Sequence, residues 1–338
     1  MNILNIGGLM YINLFLFVIF FGVAPISFDD DATTKKIIYD QKVYKLYPKF
    51  YSERPKIPSP LIMDDNKELI IVITSEDKYT IIPVTVENGD TLDYSRDLWY
   101  GKGRQLDVDS ADFPTLFRTG LHSESELAKT KTITGKPVDE ISRIARPEMH
   151  SGEGFIGIDE DIISVLIGDN KLVKRLGMTH PQMARPLFHV FNIIIATNKD
   201  SKHGGIKGFY YNNRMINLNF HGAKGWQESI FNDEILGYWQ LEIWTLLNQS
   251  EKEFLLSRYD NLSDSAMNEF INRLSFIHTG EMVPFYIQRY GFYEGHTSYR
   301  ADPIAISYIF GLRRLEEIES AFEDCLYDNL NKHFLSKP

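Results

Sequence analysis

Hydrophobic and polar positions follow two different rhythms along this chain. Between Lys36 and about Tyr100 the apolar residues come in short β-branched and aromatic runs: Lys36–Tyr39, Val43–Tyr47, Leu69–Thr74 and Tyr79–Val86. Polar or proline-rich breaks such as Arg54–Pro60 separate them. Such runs predict strands of a small sheet, because branched and aromatic side chains suit a pleated surface and proline interrupts its ladder. The stretch Thr119–Glu140 is polar and mixed in charge, which suits a linker or surface excursion. Its end, with Pro137 ahead of Val138 and Ile141, predicts a short helix, since proline is pre-organised for a first helical turn.

Beyond it the spacing becomes mostly helical. Asp159 precedes Ile162, Ile163 and Leu166, and Asp169 precedes Leu172, Val173 and Leu176, with Gly177 placed to end the turn. Thr179 and Pro181 open a helix toward Ala196; Ser250 and Glu253 have capping-box spacing; Asp302 and Pro303 open a helix closed by Gly311. One hairpin interrupts the helices, Gly208–Tyr211 and Met215–Phe220 around Asn212 and Asn213, residues that tolerate tight-turn backbone. The segment after Phe220 reads as a turn into a helix starting near Gln227. The expected fold class is therefore α+β: a β-rich portion over 29–118, a linker or excursion over 119–140, and a mainly helical portion with one hairpin over 141–338.

The N-terminal segment 1–28 obeys neither rhythm. It has no charged side chain, and Leu9–Ala24 is almost wholly apolar. About 20 residues of helix cross a bilayer core of about 30 Å. The segment reads as a signal peptide or a membrane anchor that leaves the body extracytoplasmic, either secreted or held at the membrane. It lacks a basic leader, Pro25 follows Ala24, and no cysteine follows the run to accept a lipid. The alternative is a run hidden in the core of a soluble chain.

Composition then narrows the function. A net charge of -10, from 46 acids and 36 bases, argues against a nucleic-acid partner, which calls for a concentrated basic face. Cys325 stands alone, so no intramolecular disulfide or cysteine-rich zinc site forms. No phosphate-binding loop, His-Glu-x-x-His, Gly-x-Ser-x-Gly or calcium loop is present, and no cofactor is implied. His278-x-x-Glu281 and Glu294-x-His296 lack a distinctive ligand spacing, so no metal is expected.

The densest polar and aromatic group runs from His278 to Asp302. If Glu281–Tyr290 is one helix, Tyr286, Arg289 and Tyr290 share a face. The glycine-rich segment that follows, with Tyr293, Glu294, His296, Tyr299 and Arg300, reads as an ordered loop between helices, where binding groups collect. His296 beside Glu294 suits acid–base exchange, and Arg289 and Arg300 suit a carboxylate or phosphate. The structural alternative is that His296 and the tyrosines pack the helices while Arg300 pairs with Asp302. A second candidate is His221 and Lys224, placed to hold an anion at the N-terminus of the helix near Gln227. A third is the loop carrying His150 and Glu153; His180 and His189 read as core histidines. Two functions follow: a hydrolase or transferase using the His296/Glu294 pair with arginine clamps on a polar or anionic small molecule or glycan, or a non-catalytic envelope or cell-surface protein binding a glycan or a partner protein.

Overall fold

A computed structural model describes residues 35–39, 42–46, 61–64, 67–74, 79–85, 113, 114, 116, 120–199, 205–212 and 214–322. The apolar segment 1–28 and Cys325 lie outside the described residues. The fold is α+β, with antiparallel strands and packed helices.

The strands expected near the N-terminus are present as β1 (Lys35–Tyr39), β2 (Lys42–Leu46), β4 (Lys67–Thr74) and β5 (Tyr79–Thr85), with β3 (Leu61–Asp64) added. β1 and β2 pair with each other alone. β4 is central: β5 runs along its whole length on one edge, while β3 and β8 (Ile206–Tyr211) share the other. Through β8 the sheet continues into the expected hairpin with β9 (Arg214–Glu228), then β10 (Leu236–Thr245) and β11 (Phe276–Gly280). One 7-stranded antiparallel sheet thus draws on residues from both sides of the polar stretch. Within that stretch are a one-turn helix α1 (Glu124–Leu127) and the short strands β6 (Thr132–Ile133) and β7 (Lys136–Pro137).

Four sequence expectations are corrected. No helix begins near Gln227, because β9 runs straight through it to Glu228. β10 and β11 replace expected helix, although β10 alternates: Leu241, Ile243 and Thr245 face the core, and Gln240, Glu242 and Trp244 face away. Asp169 caps no helix, since α3 (Ile162–Arg175) is continuous across it and is capped by Asp161, whose carboxylate accepts from the Ser164 N–H at 3.0 Å. The capping box before α5 (Gln249–Arg258) is Asn248 with Glu251 rather than Ser250 with Glu253.

The remaining helices are α2 (Val138–Ala145), α4 (His180–Lys199), α6 (Asp264–Ser275), α7 (Val283–Tyr290) and α8 (Pro303–Ile309). α4 is the hub. Met183, Ala184, Leu187, Phe188, Val190 and Phe191 are all buried on it, and each large side chain withdrawn from water contributes about 1.5–3 kcal/mol. α7 packs on α4 through an edge-to-face contact of Phe188 and Phe285, 5.0 Å between ring centres. A buried ion pair, Arg214 to Glu251 at 2.7 Å, ties the start of β9 to α5, and the Tyr308 hydroxyl donates to the same carboxylate at 2.9 Å. β9, α5 and α8 are thereby tied together, and α8 is one end of the segment joining α7 to α8.

Candidate functional site

That segment, 291–302, forms the ordered loop that the sequence suggests, without helix or strand. Gly291 ends α7 in the left-handed region at φ 64, where the Gly291 and Phe292 N–H groups reach back to the Ile287 and Tyr286 carbonyls. A Cβ at Gly291 would press on the His180 ring, so both conformation and space require glycine.

The inner side of the loop is fastened to buried polar groups. Arg300 donates to Asp169 at 2.6 Å, to Asp302 at 3.3 Å, and to the Glu294 carbonyl. Asp169 also accepts from the Tyr293 N–H at 3.4 Å. Burial pushes the Asp169 carboxyl up to about 6 even though Arg300 pulls it down. The Tyr293 hydroxyl meets His180 Nδ1 at 3.0 Å, and His180 Nε2 meets Asn170 Oδ1 at 3.2 Å. Burial, reinforced by neighbouring His122, lowers His180 to about 3. His180 is therefore neutral: Nε2 donates to the amide oxygen, and Nδ1 accepts from the tyrosine. Asn170 and His122 exchange two further bonds, His122 N–H to Asn170 Oδ1 at 2.8 Å and Asn170 Nδ2 to the His122 carbonyl at 3.2 Å.

Most of the expected site residues belong to this packing. Tyr286, Tyr290 and Tyr293 are almost wholly buried; the Tyr290 hydroxyl donates to Asp233 at 2.8 Å. Arg289 lies 3.9 Å from Asp233 with its guanidinium over Phe285. The expected clamp of Arg289 and Arg300 is thus engaged inside the protein. His296 and Glu294 do not form the expected pair either: the His296 ring bonds Glu160, which also accepts from the His296 N–H at 2.9 Å and the Gly157 N–H at 2.6 Å. Burial pushes Glu160 up, but these bonds outweigh it and hold the carboxyl at about 2. His221 sits on β9 with its ring 2.8 Å from the Gln240 amide oxygen, and Lys224 is also in β9, so neither flanks a helix start.

The outer side of the loop faces a cleft of about 120 Å³ between the N-terminal end of β10, the start of α7 and the loop 151–155. Tyr238, Trp239 and Tyr299 supply aromatic walls, and Gln240, Glu281 and Glu294 supply polar groups. Glu281 is braced by the Tyr238 and Trp239 N–H groups at 2.8 and 3.1 Å; burial raises its carboxyl against the pull of those two bonds. Glu294 is buried and raised well above the carboxylate range by burial, although the Thr297 hydroxyl donates to it at 3.2 Å. Burial thus favours the neutral carboxyl, the form that carries an O–H donor. Its backbone is also unusual for a non-glycine residue, with φ 63. Thr134, Glu148, Asn212, Asn232 and Glu234 share that region, so the angle alone does not mark a site. The Tyr299 hydroxyl accepts from Gln240 at 2.9 Å, and its ring lies 4.3 Å from that of His278.

Sequence reasoning missed Trp239, Tyr238 and Gln240, whose signal was the period-two pattern of β10. It also missed Glu160 and Asp169, partners 136 and 131 residues from His296 and Arg300, for which no local signal exists. Among the described residues no group of three or more His, Cys, Asp or Glu gathers to hold a metal, and no helix is long and apolar enough to cross a membrane. No protein-family model, curated protein or solved structure matches the chain.

Proposed function

We propose that this chain is an extracytoplasmic binding protein for a neutral, hydroxyl-rich ligand of the glycan class, seated in the cleft beside Tyr299. The reading rests on one observation: among the described residues the cleft is lined by aromatic rings, amides and buried carboxyls, and by no lysine or arginine. Aromatic faces stack on the apolar faces of sugar rings, while fixed amides and buried carboxyls exchange hydrogen bonds with hydroxyls. An anionic ligand would find no arginine turned toward it, since Arg289 and Arg300 face Asp233 and Asp169. The apolar segment 1–28 is proposed to carry the body to, or hold it at, the far side of a membrane.

A calorimetric screen of the parent chain against neutral sugars and against phosphate and dicarboxylates tests this. Saturable binding of a neutral sugar, weakened by Tyr299→Ala, is the expected result; binding of the anions alone refutes it. A hydrolase or transferase is the second reading, favoured by the place of the buried Glu294 carboxyl at the cleft, where burial pushes it toward its neutral form. There Glu294 rather than His296 would deliver the proton to a leaving oxygen. Turnover of a bound glycan that disappears in Glu294→Gln, with affinity retained, separates the two.

A further inference from the structure

From the cleft, Gln240, Gly280 and Tyr299 lead onto the outer face of the last three strands. The register places the side chains of that face in rows: Gln240 lies opposite His221 and Gly280, Glu242 opposite Asn219 and His278, and Trp244 opposite Asn217 and Phe276. Because strand side chains alternate, all nine positions point the same way, away from the core formed by Leu241, Ile243 and Ile277. From Gln240 to Trp244 the face runs about 13 Å, longer than a single sugar ring needs.

The polar groups there are already oriented. His221 bonds Gln240 at 2.8 Å, Gln240 bonds Tyr299 at 2.9 Å, and Asn219 bonds Glu242 at 2.9 Å. A ligand laid across them meets amides whose rotamers are held before binding, which lowers the entropy cost of recognition. A Cβ at Gly280 would meet nothing within 4 Å, so the passage from cleft to face is open. At the far end, Trp244 and Phe276 form a directly opposed aromatic pair, and Phe276 is 37% exposed. Trp244 is part-buried and Phe276 more open, so the pair keeps accessible aromatic surface on the side of the sheet away from the core, the kind of flat surface that a sugar ring covers. The rows hold one carboxylate, Glu242, and no lysine or arginine, which suits an uncharged polymer and disfavours a polyanion.

We infer that the ligand is a linear, neutral oligosaccharide that leaves the cleft past Gly280 and runs along the β9–β10–β11 face to stack on Trp244 and Phe276. This rests on the cleft being a glycan site and adds that the site has several units.

The test is calorimetric titration of the full chain with cello-, xylo-, manno- and chito-oligosaccharides, each from monosaccharide to hexasaccharide. In at least one series affinity is expected to rise about tenfold or more with length. Trp244→Ala and Phe276→Ala, each checked by thermal melt, should remove that gain and leave monosaccharide binding unchanged. A monosaccharide that binds with no gain for longer chains overturns the extended site and leaves the cleft reading intact. No binding in any series overturns both, and tighter binding of a polyanion such as a uronic-acid oligomer overturns the neutral-chain assignment. The length series in the parent chain needs no variant, so a poorly folded substitution does not shield the inference.

Discussion

The two sides of loop 291–302 hold similar side chains and use them in opposite ways. Inside, Arg300, Asp169, Tyr293, His180 and Asn170 satisfy one another, which fixes the loop and leaves no group to offer a ligand. Outside, Glu294 and Tyr299 stand at the edge of a cleft with Trp239 and Glu281. An arginine or tyrosine in a polar loop is therefore no evidence of a site until its partners are known. In this chain the guanidinium groups of Arg289 and Arg300 build the support, and the residues at the cleft are the ones proposed to carry recognition.

The sharpest way to break this contrast is to remove a buried charge. Arg300→Ala leaves Asp169 without its cation and frees the loop, and removing one partner of a buried pair costs about 3–5 kcal/mol. Urea denaturation should show a loss of that size. A loss under about 1 kcal/mol would mean that Arg300 is not structural and is free to act as a clamp.

Tyr299→Ala probes the other side. It should lower sugar affinity by about tenfold, the effect of one lost stacking contact, while shifting the unfolding midpoint little because the ring is only part-buried. Equal losses of stability and affinity would place Tyr299 with the inner residues.

Glu294→Gly sharpens the comparison further. Glycine accepts φ 63 without strain, and removing a buried carboxyl ends its desolvation cost, so the lost packing is largely offset. Affinity should fall while stability changes by less than about 1 kcal/mol. A large destabilisation would make Glu294 a structural residue.

The smallest effect is expected at His296, whose side chain is 51% exposed. His296→Ala should cost less than about 1 kcal/mol and leave sugar binding unchanged, in contrast to the acid–base role its sequence neighbours suggest. Its signature is in acid. Glu160 is held at about 2 against an ordinary value of 4.5, so its contribution is complete above pH 4.5 and is lost as pH falls from 4.5 to 2. Acid unfolding of His296→Ala should begin at higher pH than in the parent chain; superimposable acid transitions would contradict the pairing.

The fold class was legible because local chemistry announces itself: β-branched runs gave β1, β2, β4 and β5, and Asp302–Pro303 with Gly311 bracketed α8. The site was legible only as a region. His278–Asp302 does hold the loop and one wall of the cleft, but the roles of Arg300 and His296 depend on Asp169 and Glu160, which only the fold brings near. The segment after Phe220 was read as a turn into a helix, with Gly222 and Gly225 in it, and the strand that supplies Trp239 was lost in that expected helix. Both glycines instead sit within β9, where Gly222 packs against Tyr238.

The most direct measurement follows the indole N–H resonance of Trp239, assigned with Trp239→Phe, during titration of the isotope-labelled chain. With a neutral oligosaccharide the signal should shift saturably, and with phosphate or a dicarboxylate it should stay in place. A shift driven by the anions, with the sugars inert, would contradict the assignment of the cleft to a neutral hydroxyl-rich ligand.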